Sequence, residues 1–567
     1  MPQLRSVRRG VLLALSLLSA CAASDPAPGG GARSARYTPT GVFGNYLVGR
    51  FAMAEADPNT AATAFLKALG RSPGDPDLLQ QAFIACLAAD RPEAVQLARE
   101  LPDNQVAQLL LGDTEAKTGN WQAAEKRFHA LPRQGMAQLL QPLLIAWVQQ
   151  GDGRTDAALA TLRPYIDGQR FRGLFALHGA MIADLSKRDA EAARLYRIAQ
   201  SDLPDLNLRT TQILASWQAR TGHTTEAKLS LTALSQAAPD VDISVPALTA
   251  AMRAQPVARA TDGIAEAYLT LAAALRTQEN SEFARDFSMV MVRLALDLRP
   301  DFAAARLLAS EVQLAQRHPE TALQMLNGVS ASDPVIAVVR LRQAMILDRL
   351  DRSDEARRNL ERLAQENPGS AQPYSQLGDL LRAHSEFPEA IAAYDQAASR
   401  LKESRHADWV LFYNRGIAHE RAHDWQKAEA DLHRALELAP DQPFVLNYLG
   451  YSWADKGHNL DRARQMILKA AERRPNDGAI TDSLGWVQFR QGDIAEAVKT
   501  LERAVELDPE DATINGHLGD AYWAAGRKIE AQYQWRRALT LNPGADDAAK
   551  LEAKLNTQQA GSVVTGQ

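Results

Sequence analysis

Residues 478–511 read GAITDSLGWVQFRQGDIAEAVKTLERAVELDPED. Two apolar-periodic stretches flank the polar turn Gln491-Gly492-Asp493, the pattern of two short amphipathic helices joined head to tail. Small residues stand at Gly485, Ala497 and Ala504, and large apolar ones at Leu484 and Leu501. The small positions let the two helices of one hairpin approach closely, and the large ones are expected to fill the space between adjacent hairpins. Pro509 cannot continue a helix, so it closes one unit and opens the next. A single hairpin of this kind cannot bury its own apolar face and must stack on neighbours.

The unit recurs on both sides. Leu449-Gly450, Leu484-Gly485 and Leu518-Gly519 follow one another at 35 and 34 residues, and Pro475, Pro509 and Pro543 stand 34 apart. Ala531 follows Gly519 by twelve residues, as Ala497 follows Gly485. This pattern resembles the tetratricopeptide repeat. Walking toward the N-terminus, the register is kept by Gly416, Ala428, Leu432 and Pro440, then by Gly378, Ala390 and Tyr394, then by Ala344, Ala356 and Leu360. Residues 301–334 fit loosely, and 264–300 fit with lengthened helices. In the N-terminal half Gly49, Ala61 and Phe65 keep register, as do Gly112, Ala124 and Phe128. So do units centred on Ala146, Ala180 and Ala215, with a degenerate unit at 76–104. The resemblance implies an all-α fold, a tetratricopeptide α-solenoid of about fourteen helix-turn-helix repeats. The expected division is an N-terminal array at 41–239, a linker or irregular repeat at 240–262, and a C-terminal array at 263–544. A capping helix and polar tail follow at 545–567.

Composition agrees. The chain has 567 residues, with 46% hydrophobic, 23% charged and only 6% aromatic side chains, which favours helix over sheet. A length that would ordinarily mean several domains is absorbed by one repeat array. The formal charge of −5 excludes a nucleic-acid binder that works through a basic face. The two cysteines, Cys21 and Cys86, build neither a disulfide framework nor a cysteine-rich zinc site. Cys86 lies in the apolar run Ile84-Ala85-Cys86-Leu87-Ala88 and is expected to be a buried small hydrophobe.

The first twenty residues read as a targeting signal: Arg5, Arg8 and Arg9 precede the short apolar stretch Val11–Leu18. Leu18-Ser19-Ala20-Cys21 resembles the bacterial lipobox. That resemblance implies a lipoprotein signal peptide at 1–20 and acylation of Cys21. With Ala22 next, it also implies sorting to the outer membrane. Residues 21–40, rich in Gly, Pro, Ala and Ser, then read as a flexible lipid-anchored tether.

One enzyme motif occurs. His419-Glu420-Arg421-Ala422-His423 matches the H-E-x-x-H pattern, in which two His at i and i+4 on one helix hold zinc and the Glu acts as base. Repeat register argues against it, because His419 falls at a packing position and His423 in the turn between the two helices. His419, Glu420 and His423 therefore stand as a weak metal candidate, and no cofactor and no enzymatic activity are expected.

The working surface of a repeat solenoid is the concave groove lined by the first helix of each hairpin. Register places Tyr413, Asn414 and Glu420 there, then Asn447, Tyr448 and Tyr451, then Asp482, Trp486, Phe489 and Arg490, and finally His517, Asp520 and Trp523. Aromatic anchors mixed with amides and single charges suit a peptide or protein partner. Six of the nine Trp lie between 409 and 535. Trp453 and Trp535 fall at packing positions, whereas Trp486 and Trp523 face the groove as binding candidates. The Lys or Arg and Asn pattern of carboxylate-clamp repeats is missing.

With the lipobox, the stretch from 446 to 536 resembles the large tetratricopeptide outer-membrane lipoproteins of Gram-negative bacteria. Some members of that class act as adaptors of periplasmic carboxy-terminal-processing proteases. The resemblance implies a non-enzymatic scaffold on the periplasmic face of the outer membrane that docks such a protease and its substrates. A pilotin-like or envelope-assembly lipoprotein is the other reading within that class, and a zinc metalloprotease is the reading outside it.

Overall fold

The computed structural model describes residues 41–132, 137–168, 171–203, 207–276, 282–401 and 405–564. The signal, Cys21 and the tether lie outside these residues. Among the described residues there are thirty α-helices, two 3-10 turns and no strand. Twenty-eight of the helices pair into fourteen antiparallel hairpins, from Val42–Ala54 with Pro58–Leu69 to Ala512–Ala524 with Lys528–Thr540. The fold is all-α, as the repeat spacing implied.

Local chemistry sets the helix ends. Asp57, Asp75, Asp477 and Asp511 cap helix N-termini by accepting a backbone N–H two or three residues ahead. Pro58, Pro76 and Pro443 occupy the first helical turn, where a missing N–H is harmless. The turn inside many hairpins needs a left-handed residue, supplied by Gly492 and Gly526 at φ of 84° and 79°.

The glycine of the repeat works differently. A Cβ on Gly485 would stand 2.6 Å from Leu501, one on Gly49 2.7 Å from Phe65, and one on Gly378 2.5 Å from Tyr394. Gly112 and Gly519 face Phe128 and Trp535 in the same way. Each large residue follows its glycine by sixteen positions, so it seats over the first helix of its own hairpin. The expectation that these large residues fill only the gaps between hairpins is corrected on this point.

The hairpin of Ala260–Arg276 and Glu282–Leu298 changes the architecture. Both helices have 17 residues, longer than their neighbours. They pack against the first helices of the N-terminal hairpins: Pro76–Ala88, Gln105–Lys117, Ala137–Gly151 and Arg172–Leu185. The contacts fall on groove positions. Tyr268 donates its hydroxyl to Asp113 at 3.0 Å, Gly263 lies against the Trp147 ring, and Arg209 pairs with Glu266. Lys117 reaches Asp297 at 3.1 Å. The concave side of the hairpins from Pro76 to Leu185 is thus occupied by the chain's own later hairpin, beside which a cavity of about 1420 Å³ stays open, lined by Phe175, Met181, Arg209, Glu266, Phe302 and Val338. One apolar core extends from Ala52 to Val312, across the boundary expected at 240–262. That stretch forms the 3-10 turn Pro239–Ser244 and the short helix Val245–Ala251. The turn packs on Ile336–Arg349 and Gln372–Ala383, with Gln372 donating to the Pro239 carbonyl at 2.9 Å. Cys86 is fully buried in the core, and burial pushes its thiol up to about 11.

Candidate interaction groove

From Phe387 onward the helices pack chiefly on their hairpin partners and on adjacent hairpins, and among the described residues no distant element packs against their first helices as 260–298 packs on the N-terminal ones. The wall of this second groove is a ladder of contacts between successive first helices. Asp379 accepts from Asn414 at 2.8 Å and from the Tyr394 hydroxyl at 2.7 Å. Burial pushes the Asp379 carboxyl up, against both of those hydrogen bonds. Tyr413 meets Tyr448 edge to face at 5.8 Å, and the Tyr448 hydroxyl reaches Glu420 at 3.4 Å. The next rungs bring together Tyr451, Asp482, Trp486, Phe489 and His517. The Trp486 indole stacks on His517 at 4.0 Å and on Phe489 at 5.0 Å. The His517 ring nitrogen lies 2.9 Å from Asp482, and Tyr451 sits 6.2 Å away. Burial disfavours the His517 imidazolium, but Asp482 and the more distant Asp520 outweigh it, so the pKa is held above the ordinary value. Asp520 in turn binds Lys554 and the Trp535 indole N–H at 2.7 and 2.9 Å.

Trp523 and Arg490 are half-buried at the rim. Lys528 lies over Trp523 at 5.2 Å, and Arg490 donates to the Asp455 carbonyl at 2.6 Å. Two wall groups lack a protein partner: the Asn447 side-chain oxygen and the Trp486 indole N–H. A buried polar atom left unpaired costs about 1–3 kcal/mol, so each of these two calls for a water or a ligand group.

None of the thirteen residues that register assigns to the groove is exposed; each is buried or half-buried. Trp486 corrects the expectation of an open anchor: it is 9% exposed and stacked on both His517 and Phe489. Trp453 and Trp535 are core residues, as register implied. Asp379 was not singled out from sequence, although it stands at the repeat position that holds Tyr451, Trp486 and Asp520 two, three and four units on. That shared register was the signal that could have found it.

The H-E-x-x-H segment has no zinc-site geometry. The helix Trp409–Arg421 ends before His423, which sits in the turn with a φ of 62°. His419 is buried in the hairpin, 4.0 Å from Asp424, and burial lowers its pKa. The two imidazoles do not share a helix face, so they cannot clamp one ion. Among the described residues no group of three or more His, Cys, Asp or Glu side chains is placed to hold a metal.

A tetratricopeptide-repeat family model matches residues 341–407 and 483–546, and a second matches 409–442. The chain therefore has the tetratricopeptide-repeat fold, whose repeats serve protein–protein interaction. A TPR repeat-containing protein of Pseudomonas aeruginosa is 34% identical over 167 residues, 29% of this chain and 28% of that protein. The match thus spans less than a third of that relative. Among solved structures, a tetratricopeptide repeat protein of Parabacteroides merdae superposes with a TM-score of 0.36 at 15% identity, covering 43% of this chain and 95% of its own. The APC/C Cut9–Hcn1 hetero-tetramer gives 0.38 at 16% identity, covering 90% and 95%.

Proposed function

We propose that this chain is a non-enzymatic adaptor, anchored through Cys21 to the periplasmic face of the outer membrane. In this reading the groove between Asp379 and Trp523 docks a carboxy-terminal-processing protease or its substrates. The observation that carries the proposal is the contrast between the two grooves. The N-terminal one is partly occupied by the hairpin 260–298, whereas the C-terminal one keeps a mixed aromatic, amide and charged wall that no other part of the described chain occupies. Such a wall suits an extended polypeptide, whose backbone offers a donor and an acceptor at nearly every residue. The tether confines effector and target near one surface, which raises their effective concentration without any chemistry by the scaffold itself.

The test is affinity purification of the full chain from detergent-solubilised membranes, with Trp523→Ala and Arg421→Glu beside it. Arg421 is exposed and lies beside Glu420, which register assigns to the groove. Recovery of a processing protease, reduced at least about tenfold by either substitution, is the expected result. Recovery of secretin or pilus subunits moves the assignment to the pilotin-like reading. A partner retained in full by both variants removes the groove from the proposal.

A further inference from the structure

The first helix of the solenoid, Val42–Ala54, leaves an apolar stripe in the open. Phe43, Leu47 and Phe51 lie at i, i+4 and i+8, on one face, and are 73%, 50% and 68% exposed. The opposite face is used normally: Asn45, Gly49 and Ala52 are buried against the partner helix Pro58–Leu69. Terminal repeats of a solenoid ordinarily turn a polar face outward, so an aromatic one calls for an occupant. The charge around it is also unusual. From Pro26 to Ala54 the chain carries Arg33, Arg36 and Arg50 and no acidic residue, although the whole protein has 68 acids to 63 bases.

We propose that this helix lies on a bilayer surface with anionic headgroups, its stripe of Phe43, Leu47 and Phe51 set into the acyl boundary. An apolar stripe with Arg50 beside it and no acidic residue on the helix suits an interfacial position, and no helix of the described residues is long and apolar enough to cross a membrane. The proposal rests on the lipid-anchor reading. Cys21 stands 21 residues before Val42, so even a fully extended tether holds the helix within about 75 Å of the acylated residue. Other occupants fit less well. The tether sequence AASDPAPGGGARSARYTPT has Tyr37 as its sole large apolar residue and cannot cover two Phe and a Leu. Three side chains on a helix about 20 Å long fall short of the roughly 1,200 Å² that a stable dimer buries.

The test uses the full chain purified from membranes and returned to vesicles of phosphatidylethanolamine with a minority of phosphatidylglycerol. Spin labels are placed singly by Phe43→Cys, Leu47→Cys, Phe51→Cys and, as control, Asn59→Cys on the next helix; the buried Cys86 stays unlabelled. The expected result is loss of collisions with a water-soluble nickel chelate and gain of collisions with oxygen at 43, 47 and 51, with the reverse at 59. Replacing phosphatidylglycerol by neutral lipid should weaken the shielding. The mass of the mature N-terminus is read in parallel. Acyl chains present with labels open to nickel overturns the proposal and leaves the anchor standing. Acyl chains absent with labels shielded in vesicles sustains the proposal and removes the anchor. Shielding already complete without vesicles overturns it too, with dipolar broadening marking a second copy and its absence marking the chain's own tether.

Discussion

Gly485 and Gly516 occupy first helices of consecutive hairpins, and only one of them has room. A Cβ on Gly516 meets Leu551 at 3.7 Å, ordinary contact, while one on Gly485 drives into Leu501. Gly516→Ala is therefore expected to stabilise by about 0.5–1 kcal/mol, the helix-propensity gain. Gly485→Ala should destabilise by about 1–3 kcal/mol through overpacking. Denaturant midpoints of the two variants check both signs. His517 adds a pH signature. Its pKa is raised in the folded state, so its pairing stabilises fully below the unfolded value of about 6.5 and fades as pH rises through the folded value. Asp482, Asp520 and Lys554 are the charges around it. His517→Gln should thus be more damaging at pH 5.5 than at pH 8. At this scale sequence register picked out side chains that meet one another across successive first helices, such as Tyr413 with Tyr448 and Asp482 with His517. It could not foresee that Trp486 is stacked, because the Trp486–His517 stack joins residues from different repeats.

The hairpin Ala260–Arg276 and Glu282–Leu298 was readable as a repeat with long helices, and its length was the visible clue. Its place was not readable. Periodicity reports which face of a helix is apolar, whereas partners more than a hundred residues away, such as Asp113 for Tyr268, leave no local trace. The core of Ile264, Tyr268 and Ala272, all fully buried, fixes it there. Gly263→Ala would push a methyl into the Trp147 ring. It should lower the stability of the N-terminal half by about 2 kcal/mol while leaving the C-terminal hairpins untouched. Hydrogen exchange resolved by segment checks this, and amides of 260–298 are expected to open together with those of 76–185.

Over the whole molecule, two histidines respond oppositely to acid, His178 in the N-terminal half and His517 in the C-terminal one. His178 is fully buried, accepts the Trp147 indole N–H at 3.0 Å, and is lowered by burial to about 3. Its contribution is present above about pH 6.5 and is lost as pH falls toward 3. His178→Gln should therefore damage less at pH 5.5 than at pH 8, the reverse of His517→Gln. Differential scanning calorimetry of both variants at the two pH values decides it, with slopes of at most about 1.4 kcal/mol per pH unit. The occupied groove has a mechanical consequence as well. An empty superhelix of hairpins is a coil that can lengthen by small rotations between neighbours, like a spring. A superhelix with a rod of its own chain inside it cannot. Under tension between a fixed N-terminus and a partner held near Trp523, the C-terminal hairpins would extend first and recoil, and the N-terminal half would transmit the load as a stiff post.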